Sequence, residues 1–109
     1  MPPMNPSKQI DNVSIATKAN VYFDGKCISH TIFLPDGSRK SVGVILPSWL
    51  TFDTQSAELM ELVAGSCRVR QKGDAKAASY QAGNSFRVAA NSSFEIEVLE
   101  TLHYVCHFE

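Results

Sequence analysis

The sequence predicts a single all-β domain, a small barrel or sandwich, on three observations. Short segments rich in β-branched and aromatic residues recur at roughly ten-residue intervals, with turn residues between them. Residues 94–100 alternate between apolar and mostly acidic side chains, which is the period of a half-buried strand. No segment has the periodicity of a convincing helix. At 109 residues, the chain is long enough for one hydrophobic core and too short for two.

The chain divides into a predicted N-terminal tail, residues 1–19, and a β-domain over residues 20–109. The tail contains three prolines and shows little apolar periodicity, and its first eight residues are expected to be loose. Residues 10–15 have the composition for an additional edge strand.

Two hairpins are predicted in the first half of the domain. The first joins residues 20–23 to residues 26–34 through an Asp24-Gly25 turn. The second continues into residues 39–46 through Pro35-Asp36-Gly37-Ser38, where proline presets φ and glycine tolerates a positive φ.

The middle of the chain, residues 48–70, is where we expect any chemical site. An apolar and aromatic strand leads through a polar loop into residues 59–63, which are expected to end in a tight turn at Ala64-Gly65-Ser66. Glu58 stands just before this second strand, where it can be held against an apolar wall. Alternation leaves the inward face open, because each side of residues 51–54 mixes polar and apolar side chains.

The remaining strands are expected to be short and separated by turns or loops. They are predicted over residues 79–81, 86–88, 94–100 and 103–108.

Composition excludes several classes of protein. The net charge is −1 and the basic residues are scattered, whereas nucleic-acid binding needs clustered Lys and Arg. The sequence has neither an apolar run long enough to span a membrane nor a secretion signal, so we expect a cytoplasmic protein.

The cysteines and histidines do not form a metal motif. The three cysteines are far apart and lack zinc-finger spacing, which indicates buried thiols in a reducing compartment. His103 and His107 lie on a predicted strand, where their rings would be about 13 Å apart and could not share one ion without a bend. Glu95, Glu97 and Glu100 are expected to form the solvated face of a strand.

The glycines match the skeleton of the cupin motifs, G-x5-H-x-H-x3/4-E-x6-G and G-x5-P-x-G-x2-H-x3-N. Counting back from Gly65 places Glu58 in the glutamate position. The histidine positions of the first motif fall on Thr51 and Asp53 or on Phe52 and Thr54. Counting on from Gly83, the second motif has Ala89, Asn91, Phe94 and Val98 where cupins have Pro, Gly, His and Asn. The skeleton therefore resembles a cupin-like barrel of the jelly-roll type without its histidine ligands, and we expect no metal centre.

A more specific resemblance covers roughly residues 20–108. The chain resembles the cupin-type pyrimidine/purine nucleoside phosphorylases in six segments: Val21-Tyr22-Phe23-Asp24-Gly25-Lys26, Ser41-Val42-Gly43-Val44, Phe52-x-Thr54, Glu58-x-Met60, Ala82-Gly83-x-x-Phe86 and Tyr104-x-Cys106. The resemblance implies a pentosyltransferase that cleaves nucleosides with inorganic phosphate as co-substrate and uses no other cofactor. The Ala89-Ala90-Asn91 loop departs from the Pro-Gly usual in that family.

Phosphorolysis suggests roles for particular residues. Its oxocarbenium-like transition state needs a carboxylate or hydroxyls on the ribose, a cradle for phosphate and a stacking surface for the base. We expect Glu58 to be the catalytic carboxylate. The substrate-binding candidates are Thr51, Phe52, Thr54, Phe86, Phe94 and Tyr104, and the phosphate-binding candidates are Lys26 and Arg87.

Two other functions stay open at this point. A non-catalytic, small-molecule-binding cupin would also lack metal ligands, and phosphate-dependent release of a base would distinguish it from a phosphorylase. A metal-dependent cupin dioxygenase or isomerase is disfavoured by the absent H-x-H and by Phe94. We also expect a homodimer, since a small domain has a limited core and exposed edge strands.

Overall fold

The computed structural model describes residues 9–109, which form nine strands and one turn of 3-10 helix at Phe23–Gly25. The strands are β1 (Ser14–Ile15), β2 (Asn20–Tyr22), β3 (Cys27–Phe33), β4 (Arg39–Ile45), β5 (Ser48–Asp53), β6 (Glu58–Gln71), β7 (Ala78–Gln81), β8 (Ser85–Val88) and β9 (Ser93–Phe108). Every pairing between them is antiparallel, which confirms the predicted all-β class. The loose tail expected at residues 1–8 lies outside the described residues.

The sheet is organised around β6 and β9, which pair along almost their whole lengths. The other edge of β9 pairs with β5 at its beginning and with β4 towards its end. The other edge of β6 pairs with β8 at its beginning and with β7 further along. One half of the β6–β9 pair therefore forms a group with β4 and β8, and the other half forms a group with β5 and β7. The core lies between these two groups.

Gly65 lies inside β6, where the sequence predicted a tight turn, and that prediction is wrong. The strand runs on through residues 62–67, and its register against β9 shifts at three successive points, which is the signature of a β-bulge. Gly65 has a φ of +95°, and a Cβ there would lie 2.8 Å from the carbonyl oxygen of Glu100 and closer still to that of Thr101. Glycine is therefore required by both the backbone conformation and the close approach of β9.

The last two predicted strands are one strand. Residues 94–100 and 103–108 both belong to β9, which continues without a break through Thr101 and Leu102. The change in pattern that suggested a loop coincides with the bulge on β6, where the pairing is irregular.

Both predicted hairpins in the first half of the domain are confirmed. Asp24 and Gly25 lie in the connection between the antiparallel strands β2 and β3. The Pro35-Asp36-Gly37-Ser38 segment joins β3 to β4, and the Leu34 amide donates to the Ser38 carbonyl at 2.9 Å. In the predicted N-terminal edge segment, β1 pairs with β3 over two residues.

The core is built from the inward-facing side chains of the long strands. Leu62, Ile96 and Leu102 are completely buried. On β4, Val42 is exposed while Ser41 and Ile45 are buried, so this strand presents an apolar outer face and a partly polar inner face. Among residues 9–109, no helix is long and apolar enough to cross a membrane.

Candidate active site

The inner faces of β4, β9 and β6 form cross-strand rows, because residues directly opposite each other on antiparallel strands share a face. Two rows consist of Gly43, Tyr104 and Leu62, and then of Ser41, Cys106 and Met60. Phe108 and Glu58 lie opposite each other in the next row, at the end of the two strands. Six residues of these rows line one cavity: Ser41, Glu58, Met60, Tyr104, Cys106 and Phe108.

The cavity has a volume of about 170 Å³ and is partly open to solvent. Its polar lining consists of Ser29, Ser41, Asp53 and Glu58 together with the Cys106 thiol and the Tyr104 hydroxyl. Its aromatic lining consists of Tyr22, Phe52, Phe94, Tyr104 and Phe108. A concave apolar site with a few converging polar groups is the usual form of a small-molecule site.

Glu58 is held half-buried in this lining. The Cys106 thiol donates a long hydrogen bond of 3.6 Å to its Oε1 atom. Burial raises the pKa of the Glu58 carboxyl, and the Cys106 hydrogen bond and the Arg39 charge oppose that effect. Burial also raises the pKa of Cys106, so this thiol remains a neutral donor beside the carboxylate.

Phe52 and Phe94 form the aromatic wall of the cavity. Their rings are stacked with centroids 5.4 Å apart and an interplanar angle of 19°. Phe86 packs edge-to-face behind Phe94 at 5.8 Å and is itself buried, outside the lining. Phe86 is thus placed to support the ring that faces the cavity.

The two threonine candidates lie outside the cavity lining. Thr54 is buried, and its hydroxyl donates to the Ala89 carbonyl at 2.7 Å and accepts from the Ser92 amide at 3.0 Å. It therefore ties β5 to the loop before β9. Thr51 is exposed and borders a shallow surface depression with Lys72 and Glu95.

Comparison with known proteins identifies the family to which this chain belongs. The profile of the pyrimidine/purine nucleoside phosphorylase family matches residues 17–108. A pyrimidine/purine nucleoside phosphorylase from Aromatoleum aromaticum is 63% identical over 106 residues, 96% of this chain and 99% of that protein. The chain belongs to the pyrimidine/purine nucleoside phosphorylase family.

Solved structures support this family assignment and the fold. A protein of unknown function from Acinetobacter sp. ADP1 superposes with a TM-score of 0.92 at 48% identity, covering 94% of this chain and all of that one. The EutQ protein of Clostridium difficile has a TM-score of 0.61 at 11% identity over 78% of this chain and 71% of its own, a likeness of fold alone. The expected cupin-like fold is confirmed.

In this member of the pyrimidine/purine nucleoside phosphorylase family, the two phosphate candidates lie outside the cavity lining. Lys26 is exposed at the start of the β3 hairpin. Arg87 is exposed on β8, and its Nε donates to the Glu109 carboxylate at 2.6 Å. Neither is among the lining residues.

Arg39 is a cation near the site that sequence reasoning missed. Its guanidinium carbon lies 4.4 Å from the centroid of the Phe108 ring, one of the lining side chains. Only the register of β4 against β9 places it there, and no local pattern around Arg39 indicates it. Tyr22 was missed as a lining residue for a similar reason, although it lies in a segment shared with the phosphorylase family.

Tyr22 leads into a strained segment beside the cavity. Phe23 and Asp24 have φ values of 53° and 54°, a region that bulky residues rarely occupy. The Phe23 ring packs edge-to-face on Phe52 with centroids 5.2 Å apart. Such strain is maintained only where surrounding contacts fix it, and here those contacts are with the cavity wall.

None of the histidines of the described chain is among the cavity-lining residues. His107 Nε2 lies 2.6 Å from Glu61 Oε1, and His30 Nδ1 lies 3.0 Å from the Ala16 carbonyl. Within residues 9–109, no group of three or more His, Cys, Asp and Glu side chains is arranged to hold a metal ion. The three cysteines are free and buried, and burial raises the pKa of Cys67 to about 11.

Proposed function

We propose that this protein cleaves purine and pyrimidine nucleosides with inorganic phosphate, releasing the base and ribose 1-phosphate. A phosphate oxygen forms a bond to the anomeric carbon as the bond from that carbon to the base nitrogen breaks. The electron pair leaves with the base, which takes up a proton. Membership of the pyrimidine/purine nucleoside phosphorylase family supports the reaction, and the carboxylate-and-aromatic cavity supports the site.

Glu58 is the proposed catalytic carboxylate. It faces the same cavity as Phe52, Phe94 and Tyr104, and the thiol of Cys106 satisfies it only weakly. Its oxygens are therefore available to accept hydrogen bonds from ribose hydroxyls. Its negative charge stabilises the positive charge that develops on the sugar in the transition state.

The aromatic wall is the proposed surface for the base. The stacked rings of Phe52 and Phe94 line the cavity, and every base has a π-face that can pack on aromatic rings. Stacking therefore accepts purines and pyrimidines alike, without reading their edges. Phe86 and Thr54 are proposed to position this wall, Phe86 by packing on Phe94 and Thr54 by fixing the loop that precedes it.

Release of base with and without phosphate tests the reaction. Inosine and uridine are incubated with purified protein, and free base and ribose 1-phosphate are measured by chromatography. We expect both products to require phosphate and to appear in equal amounts. Binding without any base release would indicate a non-catalytic cupin instead.

We also propose that the protein forms a homodimer through the outer face of β4. Val42, Val63 and Ile15 are exposed there, around a groove of about 450 Å³. Burying such a patch against a second copy would remove it from water. Sedimentation that finds only monomer at micromolar concentration would refute this proposal.

A cytoplasmic location is proposed from the cysteines. All three are free thiols, as expected in a compartment that keeps thiols reduced. Recovery of the protein outside the cytoplasmic fraction of its native cells would contradict this.

A further inference from the structure

Arg39 differs from the other three arginines of the chain in its ionic contacts. Arg68, Arg70 and Arg87 are each within 4.0 Å of a glutamate carboxylate, at 3.8, 2.8 and 2.6 Å respectively. Over residues 9–109, Arg39 has no such partner, and its guanidinium instead lies over the ring of Phe108. Its positive charge is therefore not neutralised by a direct ion pair within the described chain.

The strand register places Arg39 beside Phe108, a residue of the cavity lining, although Arg39 is not itself a lining residue. Lys40 pairs with His107, so the preceding residue of β4 lies beside Phe108 of β9, and Phe108 in turn pairs with Glu58 of β6. The backbones of Arg39 and Glu58 are two strand spacings apart, roughly 10 Å. The strand positions of Arg39 and Glu58 thus flank that of Phe108 in one cross-strand row.

The contact with Phe108 leaves the Arg39 guanidinium able to bind an anion. The Arg39 guanidinium carbon lies 4.4 Å from the Phe108 ring centroid. A guanidinium that stacks on an aromatic ring keeps its N–H donors pointing outward within its own plane. Those donors match two oxygens of a phosphate in a bidentate arrangement. Arg39 is close enough to Glu58 for its charge to lower the pKa of that carboxyl, yet it does not form an ion pair with it.

We propose that Arg39 binds the phosphate co-substrate at the Phe108 end of the cavity. This inference rests on the proposed phosphorylase function and deepens it by assigning the two substrates to different binding residues. The guanidinium holds the phosphate, and Glu58 holds the ribose beside it. The phosphate oxygen is thereby presented to the anomeric carbon, and the electron pair of the broken bond leaves with the base.

Steady-state kinetics on parent protein, Arg39→Ala, Arg39→Lys and Arg68→Ala test this assignment. Arg68→Ala is the matched control, since it removes an exposed arginine on the outer face of the same sheet. We expect Arg39→Ala to raise the KM for phosphate by about tenfold or more, with the KM for nucleoside changed less than about threefold. The KM of Arg39→Lys for phosphate should lie between those of the parent and Arg39→Ala, since lysine keeps the charge and loses the bidentate geometry. Arg68→Ala should match the parent.

Phosphate binding without nucleoside provides a second readout. Calorimetric titration with inorganic phosphate should show weaker binding to Arg39→Ala than to the parent, and added guanidinium should partly restore activity to this variant. An unchanged phosphate KM and unchanged phosphate binding in a folded Arg39→Ala would overturn the assignment. If the parent itself releases base without phosphate, the phosphorylase function fails rather than the role of Arg39 alone.

Discussion

Replacing Glu58 by glutamine tests the proposed role of the cavity carboxylate. The substitution removes the negative charge and keeps the volume of the side chain. Within the described residues, the hydrogen bond that Glu58 accepts is the 3.6 Å one from Cys106, so the oxygens remain available to substrate. A hydrogen bond to a charged group contributes about 1.5–3 kcal/mol, and losing one in the transition state lowers kcat/KM by about 10- to 150-fold.

The assay is base release from inosine and uridine at saturating phosphate, comparing the parent with Glu58→Gln and Glu97→Gln. Glu97 is the control because it lies on the outer face of β9, paired with Arg68. We expect loss of activity only in Glu58→Gln, and for both nucleosides. A kcat/KM equal to that of the parent would refute the assignment of Glu58 to catalysis.

The same variant should be more stable than the parent at neutral pH. Burial raises the pKa of Glu58 above 4.5, so its contribution to stability is greatest below that pH and is lost as pH rises through the folded-state value. Glutamine carries no charge to desolvate. The melting temperature of Glu58→Gln should exceed that of the parent at pH 7.5, and the difference should shrink towards pH 4. A lower melting temperature at pH 7.5 would mean that the ionised carboxylate stabilises the fold.

Two further predictions concern stability. Gly65→Ala should cost more than about 2 kcal/mol of unfolding free energy, because its Cβ would meet the backbone of Thr101 as well as requiring a positive φ. Gly83→Ala is the control for φ alone, with a φ of +91° and no atom within 4 Å of the added Cβ; equal losses in urea unfolding would contradict the clash. Deleting residues 104–109 should abolish the cooperative melting transition followed by circular dichroism, because it removes strand pairing to both β4 and β6, and parent-like melting would refute this.

The fold class and the hairpins were predictable because their signals are local. Asp24-Gly25 and Pro35-Asp36-Gly37-Ser38 carry turn chemistry in consecutive residues. The bulge at Gly65 was not predictable in this way, since a glycine at a turn and a glycine at a bulge look alike in sequence. What distinguishes them is the approach of Glu100 and Thr101 of β9, which lie more than thirty residues further along the chain.

The candidate site also combines residues that sequence patterns could identify with residues whose positions depend on distant parts of the chain. Glu58, Phe52 and Phe94 were found by motif spacing, and the structure brings them to one cavity. Thr51 and Thr54 could not be assigned to a face because their strand alternates ambiguously, and the structure places both outside the lining. Arg39 could not be found at all, because its position depends on the register of three strands.

The central claim is phosphorolysis by this chain's own side chains without a metal, and one titration tests it directly. Protein is treated exhaustively with EDTA, and base release from inosine and uridine is followed as phosphate is increased. Thr, Phe or Asp stands where cupins have the two histidines of the first motif, and Phe94 where they have that of the second. We therefore predict saturable, phosphate-dependent base release that survives EDTA and yields ribose 1-phosphate. Activity that is lost with EDTA and returns with Zn²⁺, Mn²⁺ or Fe²⁺, or base release indifferent to phosphate, would contradict it.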